Sequence, residues 1–164
     1  MCFPLILFFI AINEEGFFLK KFLILAAVVV VFSSSAFAEV QDFGIFKADI
    51  PAGWTAEQDR TTVGVMRDDK TASMSVTVEE NDGTSLKDLA DAFMSELNGR
   101  NLTTDEHGNA VFEFTASAGT NSRVVLNADE KHFALIVITL AEGSPDTAPN
   151  EISAMLDSLV FRDI

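Results

Sequence analysis

Three features of this 164-residue chain predict an α+β fold: a central, mostly antiparallel sheet of six or seven strands flanked by two main helices, an α/β/α sandwich. The first is strict alternation. Ala72, Met74, Val76 and Val78 interleave with Ser73, Ser75, Thr77 and Glu79, which describes a strand with one apolar face. The second is Phe133-Ala134-Leu135-Ile136-Val137-Ile138, apolar at every position. Such a strand needs cover above and below, which places it in the middle of the sheet. The third is helical spacing in two places. Leu86, Leu89, Ala90, Phe93 and Leu97 form one stripe, and Ile152, Met155, Leu156 and Leu159 form another.

The remaining elements follow in order. Phe43 to Ile50 reads as a first strand, stopped by the turn residues Pro51-Ala52-Gly53. Trp54, the only tryptophan, comes next. Thr61 to Arg67 reads as a second strand and Asp68-Asp69-Lys70 as its turn. After the alternating third strand, Asn81-Asp82-Gly83-Thr84 is a loop, and Ser85 caps the first helix with Asp88 in an imperfect capping box. Gly99 is placed to stop that helix. Leu102–Glu106 and Ala110–Ala116 flank His107-Gly108-Asn109, a hairpin signal. Ser122–Asn127 and His132–Leu140 are the last strands, Glu142–Pro149 is a polar loop, and the final helix runs to about Val160-Phe161.

The N-terminal segment is an export signal in composition. Lys20-Lys21 precedes the apolar run Phe22–Phe32, and Ala36-Phe37-Ala38 before Glu39 is a small-x-small cleavage site. The run is about half the roughly 20 apolar residues a membrane span needs. Residues 20–38 therefore read as a signal peptide and residues 39–164 as one domain, periplasmic or secreted from a bacterium, with no stable membrane anchor after cleavage. Residues 1–19 form an unusual prefix with Glu14 and Glu15 ahead of the signal, which suggests a misassigned start. Cys2, the only cysteine, lies in that prefix. The mature domain accordingly holds no disulfide and no lipid-bearing cysteine.

Charge narrows the partners. The chain carries −14 at neutral pH, and the two lysines and two glutamates of residues 1–38 cancel, so all of it falls on residues 39–164. That field repels nucleic acid and anionic headgroups and favours solubility or cationic partners.

Phe46, Ile50, Pro51, Gly53 and Trp54, a strand running into Pro-x-Gly-Trp, resemble the signature of the PsbP-like family. The order hairpin, capped helix, strands and terminal helix extends the resemblance over residues 43–161. It implies a central antiparallel sheet with flanking helices and a non-enzymatic binding or accessory role, with those five residues structural.

Chemistry-bearing constellations are sparse. His107 in a turn and His132 at a strand start, with no cysteine in the domain, make a poor zinc set. No serine sits in a Gly-x-Ser-x-Gly elbow. Glu79, Glu80 and Asp82, around Gly83, are the only candidate metal ligands, oxygen donors of the kind calcium takes, without the spacing of an EF-hand. Trp54 is expected to pack across the sheet end with its indole N–H on a nearby carbonyl. The expectation is an exported binding or accessory domain without catalysis or cofactor, meeting a protein or small ligand in the envelope. An acidic cation-binding stress protein and a small hydrolase are the alternatives.

Overall fold

The computed structural model describes residues 39–116 and 119–162. The prefix, the signal peptide and Cys2 lie outside the described residues. The strands are β1 (Glu39–Asp42), β2 (Phe46–Ile50), β3 (Trp54–Asp59), β4 (Thr62–Arg67), β5 (Ala72–Glu80), β6 (Arg100–Thr104), β7 (Ala110–Thr115), β8 (Asn121–Ala128), β9 (His132–Leu140) and β10 (Val160–Phe161). The helices are α1 (Leu86–Leu97) and α2 (Ala148–Asp157).

Seven strands form one sheet in the order β3-β4-β5-β9-β8-β7-β6, every neighbouring pair antiparallel. β9, the strand apolar on both faces, is fourth of the seven. Its register sets Ala134, Ile136, Ile138 and Leu140 against Val78, Val76, Met74 and Ala72 of β5. That face builds the main core with Trp54, Val63 and Val65, with Ile152 and Met155 of α2, and with Phe46, Ala48 and Ile50 of β2. Phe133 and Leu135 point the other way and pack with Leu126 and Ala110 against Leu86, Leu89, Ala90 and Phe93 of α1. The two helices therefore cover opposite faces, as the pattern at 133–138 requires. Each aliphatic or aromatic side chain removed from water here contributes about 1.5–3 kcal/mol.

The expected first strand, Phe43–Ile50, is shorter, Phe46–Ile50, and a strand that the pattern does not predict, β1, precedes it. Gly44 N–H donates to the Asp42 carboxylate and Phe43 N–H to the Phe46 carbonyl, so the chain turns at 43–45, with Gly44 at φ +84°. β1 folds back onto β2, and β10 joins on the far side, giving a separate three-stranded sheet, order β1-β2-β10. The final helix ends at Asp157, short of the expected Val160-Phe161. Those two residues pair instead with Lys47 and Phe46, and the Phe161 ring centroid lies 5.9 Å from that of Phe46. Trp54–Asp59, expected only as a segment after a turn, is the edge strand β3. Pro149 belongs to the first turn of α2, where its missing N–H costs nothing.

Helix α1 starts as expected. Ser85 accepts from Asp88 N–H at 3.2 Å and donates its own hydroxyl to the Asp88 carboxylate at 2.7 Å. Its end differs from expectation. Asn98 is the left-handed residue, at φ 53°, and Gly99 is not. Glycine is needed at 99 for another reason: a Cβ there would sit 2.8 Å from Cδ2 of the buried Phe112 ring and 3.2 Å from Met94 Cγ.

Two substitutions separate these roles. Gly99→Ala should destabilise the protein by roughly 1–3 kcal/mol through overpacking. Asn98→Gly, which relieves a left-handed backbone, should be neutral or slightly stabilising. Urea denaturation midpoints of the two variants check this, and equal midpoints would contradict it.

Candidate functional site

The signature residues come together through a turn. Trp54 N–H donates to the Pro51 carbonyl at 3.2 Å, closing a four-residue turn with Gly53 at φ +80° in its third position. That conformation suits glycine. Phe46 and Ile50 are buried in the main core, and Trp54 is 7% exposed. The turn delivers Trp54 to the first position of β3, opposite Arg67 of β4.

The Trp54 indole bonds not to a carbonyl, as expected of it, but to a carboxylate. Its Nε1–H donates to Glu151 Oε2 at 2.8 Å, and Arg67 Nη1 donates to the same oxygen at 2.5 Å. Arg67 Nε reaches Asp69 at 2.9 Å, and Asp69 also accepts from the Thr71 hydroxyl and N–H. One carboxylate on the first turn of α2 thus clamps the edge of the sheet, where the helix N-terminus itself favours negative charge. Burial pushes the Glu151 carboxyl up, but donation from Trp54, Thr147 and Arg67 outweighs it and holds the group below the usual glutamate range. The Thr71 hydroxyl and N–H, with Arg67, hold Asp69 down at about 2. Hydrogen bonds to Asp69 and Glu151 raise Arg67 further. The clamp is structural: its hydrogen bonds tie β3, β4 and the first turn of α2 together.

The acidic loop is also occupied with its own shape. Glu79 and Glu80 are neighbours on β5, so they point to opposite faces. Glu79 takes a long bond from the Thr61 hydroxyl at 3.4 Å. Asp82 accepts from the Thr84 hydroxyl at 2.5 Å, which lowers its carboxyl below the usual range. The organising residue is Asn81, which the sequence marks only as the start of the loop. Asn81, 8% exposed, donates to the carbonyls of Thr84 and Asp129 and accepts from Thr84 N–H. Among the described residues no three His, Cys, Asp or Glu side chains converge as a metal site would require. Glu79, Glu80 and Asp82 are therefore not brought together. His107 is exposed in the β6–β7 turn, 3.7 Å from Glu106, and His132 opens β9, paired with Glu80 across the strands.

Two surface clefts are lined by mixed chemistry. One of about 570 Å³ lies at the β8–β9 turn, between Asp129, Lys131, Phe133, Phe161 and Arg162. The other, about 480 Å³, runs between α2 and β8, with Ile138, Leu140, Ile152 and Leu156 on one side and Arg123 on its rim. Trp54 lines neither.

The clamp makes a pH prediction. A carboxyl whose folded pKa lies below its unfolded one adds stability that is present above the unfolded value and lost as pH falls through the folded one. The melting temperature should hold from neutrality to about pH 5 and then fall as pH drops toward about 2. Glu151→Gln should cost about 1–3 kcal/mol at neutral pH and shrink that acid-side loss. Trp54→Phe keeps the Glu151–Arg67 pair, should cost about 1 kcal/mol, and should shrink the acid-side loss only in part, because the indole is the first of the donors that hold Glu151 down. Melting curves across pH for the three proteins check all of this, and a Glu151→Gln profile parallel to wild type would overturn it.

The sequence matches no protein-family model, and it matches no curated protein at a stringent threshold. Its fold does have solved counterparts. It is similar to the solution structure of cyanobacterial PsbP (CyanoP) from Synechocystis sp. PCC 6803, with TM-score 0.54 and 13% identity over 80% of this chain and 96% of that one. It is also similar to a crystal structure from Bacteroides thetaiotaomicron VPI-5482, with TM-score 0.51 and 14% identity over 79% of this chain. The chain spans half the length of that second protein. At such identities the likeness is one of architecture, and the α+β sandwich built on the Phe46-to-Trp54 turn is a PsbP-like fold.

Proposed function

We propose that this chain is an exported, non-catalytic binding or accessory domain of the bacterial cell envelope, active after removal of residues 1–38. The observation that carries the reading is the direction in which its ionisable groups are tuned. Asp42, Asp69, Asp82, Asp105, Asp129 and Glu151 are all held low, and Arg67 and Lys87 are held high. In each case hydrogen bonds within turns, caps or ion pairs favour the charged form. General acid–base work instead needs groups poised near the working pH. These groups are committed to structure. The PsbP-like resemblance supports the same reading, since it implies an accessory role.

Two measurements test it. Intact-mass analysis of the protein recovered from periplasm or medium should give a chain beginning at Glu39. A chain retaining Cys2 or Phe3, or one confined to the cytoplasm, would overturn the export reading. Assays with ester, phosphate, peptide and glycoside substrates, together with a serine-reactive probe, should show no turnover. Turnover abolished by replacing a single side chain would overturn the non-catalytic reading.

A further inference from the structure

The trough between α2 and β8 sets four aliphatic side chains beside a basic one. Ile138 and Leu140 of β9 form its floor, and Ile152 and Leu156 of α2 form its wall. Ile138, Leu140 and Leu156 are half-buried, packed on the main core beneath but open to the trough above. Exposed Arg123 stands at the opposite rim.

Arg123 is paired across the strands with Glu113, which would ordinarily neutralise it. Glu113 is engaged elsewhere: it accepts from Asn101 Nδ2 at 3.2 Å and lies 3.7 Å from Arg100 Nε. Arg123 makes no ion pair or side-chain hydrogen bond among the described residues. Beside it, the Asn121 side-chain oxygen already accepts from Arg100 at 2.7 Å and Thr115 at 3.3 Å, which leaves its Nδ2 as a donor. A guanidinium and an amide N–H2 thus line an aliphatic trough in which the one carboxylate, Glu113, is already taken by Arg100 and Asn101, on a domain whose net charge is −14.

We propose that this trough binds a single-chain carboxylate amphiphile, a fatty-acid anion, with the head group on Arg123 and Asn121 and the tail along Ile138, Leu140, Ile152 and Leu156. The proposal rests on the binding-domain reading and names its ligand. Charge complementarity selects the head group: a planar fork of donors suits a carboxylate. The tail follows from the walls, whose backbone is committed to the β7–β8–β9 ladder and to helix α2 and which offer a ligand aliphatic side chains. Size agrees, because about 480 Å³ falls within the roughly 300–1,000 Å³ range of small-molecule sites.

The test is titration of the purified protein with decanoate below its micelle concentration, read by calorimetry and by amide chemical shifts. Saturable binding with one ligand per chain is expected, with shifts confined to residues 121–123, 138–140 and 152–156. Octanoate should bind more weakly, by up to roughly fourfold per methylene lost. Arg123→Glu should weaken decanoate at least tenfold, and Arg123→Gln less so. Ser153→Trp, at an exposed position on the α2 wall, should block the trough while the melting temperature is kept. Decyltrimethylammonium should not bind there. Non-saturable decanoate binding, shifts elsewhere, unchanged affinity in Arg123→Glu, or equal binding of the cationic amphiphile would each overturn the proposal. Any of these results alongside a Glu39-initiated, turnover-free protein would remove the ligand and leave the binding-domain reading standing.

Discussion

A strand with no polar face has to be kept from water on both sides, and here that demand falls on β9. Most of the architecture follows from it. β5 and β8 satisfy its backbone on either side. α2 and the small sheet dry one face, and α1 dries the other. Farther from β9 the requirement relaxes. On the α1 side, the β4 and β5 positions facing away from the main core carry Thr62, Ser73, Ser75 and Thr77, with Thr62 and Thr77 sharing a hydrogen bond at 2.9 Å. At the far edge, β6 is exposed throughout and irregular between Arg100 and Thr103. An edge of that kind resists pairing with another chain.

Against this apolar frame, the Glu151 clamp adds position more than energy. Exposed ion pairs contribute little on their own. Glu151 differs because it is partly sheltered and receives an indole N–H and a guanidinium on one oxygen. The geometry fixes where the first turn of α2 sits over the β3–β4 edge. It also explains why the Pro-Ala-Gly-Trp turn has to deliver an aromatic donor and not merely a bulky apolar group.

Much of the fold was legible in the sequence, because it was written in periodicity. The limits of β9 match the expected His132–Leu140, and the α1 stripe faces its core as the spacing required. What escaped was written in short polar residues. The Asp42–Gly44 turn takes Phe43 out of the strand that begins at Phe46, and β1 ahead of it is four residues long and mostly exposed, so its sequence shows no apolar face. β3 begins with Trp54 and then turns polar, because as an edge strand it has little to bury. β10 is two residues long and exists through pairing with β2, a long-range contact that no local window contains. The candidate site was harder to read. Glu79, Glu80 and Asp82 are adjacent in sequence, yet strand alternation and the Asn81-centred loop separate their roles. Trp54 was singled out correctly as a packing residue, but its partner lies 97 positions away on a helix. Arg123 became conspicuous only when Glu113 was seen to be engaged by Arg100.

The small sheet joins the beginning of the domain to its end. β2 enters near the start, but its outer neighbour β10 and the helix lying over it come last, so Asp49 N–H finds the Ser158 hydroxyl, and Asp42 the Arg162 guanidinium, only when that later segment arrives. A polypeptide that emerges N-terminus first would carry Phe46, Ala48 and Ile50 without their lid until nearly its whole length is out. Closure of the main core thereby waits on β10, whose two residues cover far more of the apolar interior than their number suggests.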